Sequence, residues 1–163
     1  MAGNRIIGIA VPSNDTIDVA GGLDSNNVVR AFKMNSDGTQ ATSIMPFGAT
    51  ALINSSANQA NANAVATLTA STGKTAWLTG FECTASGSTA GSVVTVTVAG
   101  ILGGTLNYTF VAPASVGQAA SPLIVEFMPP LPASTTNTNI VVTLPALGAG
   151  NTNATTVAHG FLL

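Results

Sequence analysis

Charge is what this sequence has least of. Its 163 residues include four Lys or Arg and six Asp or Glu, 6% charged in all, where a soluble domain usually carries about 25%. No charged residue falls between Glu82 and Glu126. The formal net charge of -2 offers no basic footprint for phosphate backbones or anionic lipid, which argues against direct nucleic-acid binding. A lone monomer stays dispersed through surface charge, so depletion on this scale implies that much of the exterior faces other protein. Ser, Thr and Asn supply uncharged polarity in its place.

Other scarcities narrow the field further. Cys83 is the only cysteine, so no disulfide can close within the chain and nothing points to an oxidising compartment. One His and one Cys are too few to hold a zinc ion within one chain, and no cofactor is expected. No stretch of 18 or more uninterrupted apolar residues exists, which excludes a spanning helix on pattern. Aromatics make up 5% of the chain, too few for the girdles of a transmembrane barrel, so no membrane partner is expected. The apolar run after Arg5 stops at Pro12, short of a signal-peptide core, and the chain is expected to be made in a cytoplasm.

What remains is β-sheet chemistry. From about residue 64 onward Val, Thr and aromatics alternate with period two, broken every eight to twelve residues or so by Gly, Pro, Ser or Asn. This rhythm predicts strands at 65–70, 75–84, 92–101, 105–111, 123–128, 139–144 and 155–162, seven in all, or eight with one from the N-terminal part. Alternation places Val94, Val96 and Val98 on one face. It does the same for Leu106, Tyr108 and Phe110, for Leu123, Val125 and Phe127, and for Ile140, Val142 and Leu144. On the second strand it sends Trp77, Phe81 and Cys83 inward, and Leu78 and Glu82 outward. The expected fold is all-β: a two-sheet antiparallel β-sandwich of jelly-roll type over residues 61–163. An immunoglobulin-like sandwich is the nearest competitor, but its antibody form needs two cysteines around a Trp.

Residues 1–60 read as an extended N-terminal arm. They hold every Asp and three of the four basic residues, with apolar patches too small to bury themselves. A turn at Asn35-Ser36-Asp37-Gly38 suggests a small hairpin, and "NSSANQANANA" reads as a linker. Ile6, Ile7, Ile9, Val11, Phe32, Met34 and Phe47 are the candidate intersubunit contacts, with packing inside their own chain as the competing reading.

Motifs for chemistry are sparse. "TGKT" resembles the end of a phosphate-binding loop, but the required earlier glycine is Leu68, and a strand follows, so a β-turn is favoured. His159 shares its predicted face with Val157 and Phe161 and has no nucleophile-elbow partner, which favours a hydrogen-bonded structural role. Asp15, Asp18 and Asp24 lack the spacing of a calcium loop and read as turn caps. Glu82 and Glu126 are the only acids of the sandwich; solvent or an interface is their ordinary place, and a glycosidase pair would need them across a cleft. An enzyme is not expected.

The arm "VVRAFKMNSDGTQATSI", the Ala/Asn/Ser linker, and the run "TASTGKTAWLTGFECTASGSTAGSVVTVTVAG" continuing through "LIVEFMPPLPAS" together resemble head decoration (cement) proteins and minor capsid components of tailed bacteriophages. The resemblance covers nearly the whole length in style and rests on no diagnostic motif. It implies a homo-oligomer, often a trimer, on the outer surface of a virion, clamping adjacent copies of a major capsid protein. It carries over no individual binding residue. The alternative from another class is a carbohydrate- or receptor-binding module, such as a fibre head or adhesin tip, with Trp77 or Tyr108 as its platform. A tail-tube or other assembly subunit is a third reading.

Overall fold

The chain divides into two units, Met1–Ile44 and Met45–Leu163. The structure, a computed structural model, describes residues 21–23, 29–31, 45, 46 and 48–163. In the first unit β1 (Gly21–Leu23) pairs antiparallel with β2 (Val29–Ala31), Gly22 opposite Arg30. All seven candidate contacts of the arm, Ile6, Ile7, Ile9, Val11, Phe32, Met34 and Phe47, lie outside the described residues, as do the 35–38 turn and Asp15, Asp18 and Asp24.

The second unit is the sandwich. Its strands are β3 (Thr50–Ser55), β4 (Ala64–Leu68), β5 (Ala76–Ala85), β6 (Ser92–Ala99), β7 (Leu106–Ala112), β8 (Leu123–Pro132), β9 (Ile140–Leu144) and β10 (Ala154–Leu162). One sheet has the order β3-β10-β5-β8 and the other β4-β9-β6-β7. Every pairing within them is antiparallel. Apart from the β6–β7 hairpin, each connection carries the chain from one sheet to the other, which is the winding of a jelly roll. The described residues include no helix, and so none long and apolar enough to cross a membrane.

All seven strands expected from periodicity are present to within a few residues, and the eighth is β3. It pairs with β10 from Val157↔Ser55 to Leu162↔Thr50, so the sandwich takes in residues well before position 61. "NSSANQANANA" is tied down too: Ser56 N–H reaches Thr156 O at 2.8 Å and Gln59 N–H reaches Ala154 O at 2.9 Å. Its asparagines serve as side-chain acceptors and donors for neighbouring loops, which composition alone does not separate from a flexible linker.

The core lies between the sheets. Leu68, Leu78, Phe81, Val96, Val98, Ile140, Val142 and Leu144 are fully buried, with Tyr108, Val125 and Phe127 packed against them. Phe81 meets the Tyr108 ring edge-on at 5.2 Å between centroids and 67°, an arrangement that suits two aromatic quadrupoles. Since Phe81 is on β5 and Tyr108 on β7, this contact joins the sheets.

One face assignment is corrected. Leu78 is buried in the core, while Trp77 turns outward and stacks on Phe161 at 5.9 Å and 10°. The cause is a β-bulge. Both ladders step over Thr79, pairing Gly80 with His159 and Leu78 with Gly160 on one side, and Gly80 with Glu126 and Leu78 with Leu131 on the other. An extra residue reverses the alternation, so Ala76 and Leu78 point inward before the bulge, and Phe81 and Cys83 after it.

At one end of the sandwich Asn151, almost fully buried, holds the loops together. Its Nδ2 donates to Ser86 O at 2.6 Å and Asn153 O at 3.0 Å, and its Oδ1 accepts from Asn61 N–H at 3.1 Å. Ser86 Oγ in turn accepts from the N–H groups of Thr152 and Asn153. Backbone groups that leave the sheets therefore find partners without water.

Cys83 is inert by position. Burial pushes its thiol up to about 11, against a smaller lowering by the Thr156 hydroxyl 3.6 Å away. From pH 9 to 11 the unfolded chain has released a proton that the folded chain keeps, so stability falls as pH rises through that window. The loss is expected to reach about 2 kcal/mol by pH 10.5. Urea titrations at pH 8 and 10.5 check it: Cys83→Ala should lose most of this difference, apart from what Tyr108 adds. The Tyr108 hydroxyl is also shifted upward by burial and acts with the same sign.

Candidate functional site

The sandwich unit carries three charged side chains, Lys74, Glu82 and Glu126. Lys74 lies in the loop before β5, and both acids are on the outer face of the β3-β10-β5-β8 sheet. The two outer faces therefore differ in kind.

The β3-β10-β5-β8 face is mixed. His159, on β10, lies across Gly80: a Cβ at that glycine would stand 2.7 Å from His159 Cε1 and 2.7 Å from the Val125 carbonyl oxygen. Glu126 is opposite Gly80 on β8, and Glu82 is opposite Val157 and Ile124. The bulge residue Thr79 donates its hydroxyl proton to the His159 carbonyl at 2.9 Å, and its Oγ1 is 3.3 Å from His159 Nδ1. That hydroxyl is committed to the backbone, so the pair fixes the ring rather than activating a nucleophile. The Trp77–Phe161 stack lies beside it, with Trp77 Nε1 buried and donating to no acceptor among the described residues. Ile53, Ile124 and Met128 are exposed, Met128 at 98%.

The β4-β9-β6-β7 face has no charge at all. Alternation turns Val65 and Thr67, Val141 and Thr143, Val93, Thr95, Thr97 and Ala99, and Asn107, Thr109 and Val111 outward. Val93 is 72% exposed and Val111, its cross-strand partner, 56%. Burying either against another protein would contribute about 1.5 to 3 kcal/mol at most. Thr hydroxyls around them can hydrogen-bond to a partner without the desolvation cost of an ion.

An open groove of about 530 Å³ runs beside this face, between Phe110 and Val111 of β7 and Pro122 and Leu123 at the start of β8. It bears no titratable side chain. Among the described residues no group of three or more His, Cys, Asp or Glu comes together. "TGKT" forms a turn, with Gly73 at φ +78° and Lys74 N–H on Ser71 O at 2.9 Å. Gly73 N–H, the kind of donor a phosphate would need, is taken by Asn137 Oδ1 at 2.7 Å.

The Thr/Val character of the outer face was readable from alternation, whereas the His159–Gly80 crossing was not. Its signal was a glycine inside an otherwise continuous strand pattern, which often marks a bulge or a close approach. Comparison with protein-family models, curated proteins and solved structures found no match.

Proposed function

We propose that this chain is a structural virion protein, a decoration or cement protein that binds the outside of a phage head as a homo-oligomer and clamps adjacent major capsid proteins. The observation that carries this reading is the uncharged outer face of the β4-β9-β6-β7 sheet, with Val65, Val93 and Val111 exposed within it. Such a face is costly for a free molecule and useful for a covered one. Repetition over a symmetric shell turns weak individual contacts into high avidity, and a clip that binds only the assembled shell stabilises it by mass action. The jelly roll supports the reading at the level of fold analogy, since it recurs in capsid and lectin domains. The lectin alternative has less behind it: Tyr108 is packed against Phe81 at the core, which leaves the Trp77–Phe161 pair as the one aromatic platform among the described residues.

The test mixes purified protein with virus particles stripped of their outer proteins and images them. Density is expected to return at regular positions on the shell. Combining Val65→Lys with Val93→Lys should weaken binding by about tenfold or more, the equivalent of about 1.4 kcal/mol. Bare particles after mixing with the unaltered chain would overturn the proposal.

A further inference from the structure

The sandwich has four edge strands: β3 and β4 meet each other at one side, β8 is interrupted, and β7 stands open. On one side β4 meets β3: Thr67 N–H, which points away from β9, is taken by Asn54 Oδ1 at 3.0 Å. On the other side β8 carries Glu126, Pro129, Pro130 and Pro132, and residues 127–130 intervene between its two stretches of pairing with β5. Proline, charge and irregular pairing are the usual devices that keep an edge from templating another strand. The fourth edge, β7, has none of them. It runs seven residues without charge, proline or bulge, in unbroken register with β6 from Ser92↔Ala112 to Val98↔Leu106. Every second residue turns its N–H and C=O away from β6, and among the described residues nothing pairs with them.

We infer that β7 pairs antiparallel with β7 of a second copy of this chain, about a two-fold axis through Thr109. Symmetry and side-chain alternation select this register. A two-fold between residues would set core-facing side chains opposite outward ones, whereas a two-fold through a residue keeps like faces together. Of those, Thr109 is the centre of the strand and the only choice that leaves all seven residues paired. Leu106 then lies opposite the partner's Ala112, Asn107 opposite the partner's Val111 and Tyr108 opposite the partner's Phe110. The last pair forms twice, an aromatic cross-strand contact on the inner side. The adjoining groove leaves room there for the inward side chains of an added strand. No like charges meet anywhere along the seam. The product is a continuous eight-stranded sheet that doubles the uncharged outer face. It does not depend on the virion reading: a chain that dimerised but left stripped particles bare would keep this inference and lose that one.

Thr109 is exposed, so its replacement leaves the core alone. Sedimentation equilibrium of the full chain should show a monomer–dimer equilibrium. Thr109→Lys sets two ammonium groups face to face on the axis and should weaken dimerisation by about tenfold or more, with partial recovery in high salt. Thr109→Glu should do the same, and mixing the two variants should restore a heterodimer. Thr109→Cys should cross-link to itself on oxidation, while buried Cys83 stays free. A monomer at every concentration, a trimer, or a dimer indifferent to Thr109→Lys would overturn the inference. So would a monomer whose Thr109→Lys variant loses particle binding, because β7 would then be recruiting a foreign strand.

Discussion

Gly160→Ala is expected to lower the melting temperature by about 6 to 12 °C, the equivalent of about 3 kcal/mol in a chain of this size. A Cβ at Gly160 would run into the carbonyl oxygen of Trp77 and press on Leu68 Cδ1 at 3.0 Å. The first obstacle is backbone on the adjoining central strand, at the bulge where the β5–β10 ladder changes register. No rotamer change relieves it; the strands must separate or the bulge must move. Gly91→Ala is the matched control. Its Cβ would meet nothing closer than Ala114 Cβ at 3.7 Å, ordinary contact, and its φ lies outside the left-handed region. That variant should be neutral or more stable by a few tenths of a kcal/mol, through the entropy removed from the unfolded chain. Thermal melts of the two variants, monitored by circular dichroism, decide the matter. Equal melting temperatures would mean that the bulge is not rigid.

Phe81→Ala should cost about 3 to 5 kcal/mol. Phe81 is the largest fully buried side chain among the described residues, and its ring touches both Tyr108 across the core and Phe127 on the neighbouring strand. Truncation opens a cavity that the sheets, held by their ladders, can close only in part. Phe81→Leu keeps most of the volume and should lose less than half as much. Denaturant titration gives both values. If the Ala variant cost under about 1 kcal/mol, the two sheets would not depend on this aromatic contact.

Strand existence was legible because Val/Thr alternation and turn residues are local signals. The inward sets on β6 to β9 followed directly from period two. Three features were not legible, each for a physical reason. At Thr79 a single extra residue exchanged the roles of Trp77 and Leu78, and alternation by itself has no way to register an insertion. Strand β3 has only Leu52 packed on the core, too little to mark a strand by pattern; its place is set by pairing with β10, about a hundred residues later in the chain. The protection of edges was equally hidden. That Asn54 covers β4 while β7 stays bare depends on which strands end each sheet, and topology decides that. The outer surface was legible in one respect: uncharged Thr/Val strands foretold a charge-free face, although not which sheet would carry it.

The winding has a further consequence for how this chain is made. Within its sheet β3 hydrogen-bonds only to β10, so a strand translated near residue 50 waits for its neighbour until the ribosome has passed residue 160. Until then the β4-β9-β6-β7 sheet and the β5–β8 pair have all their strands, while β3 and the open side of β5 still lack the strand that joins them. Closure of the roll is therefore a late event dominated by distant pairings, of the kind that sets in over milliseconds to seconds rather than microseconds.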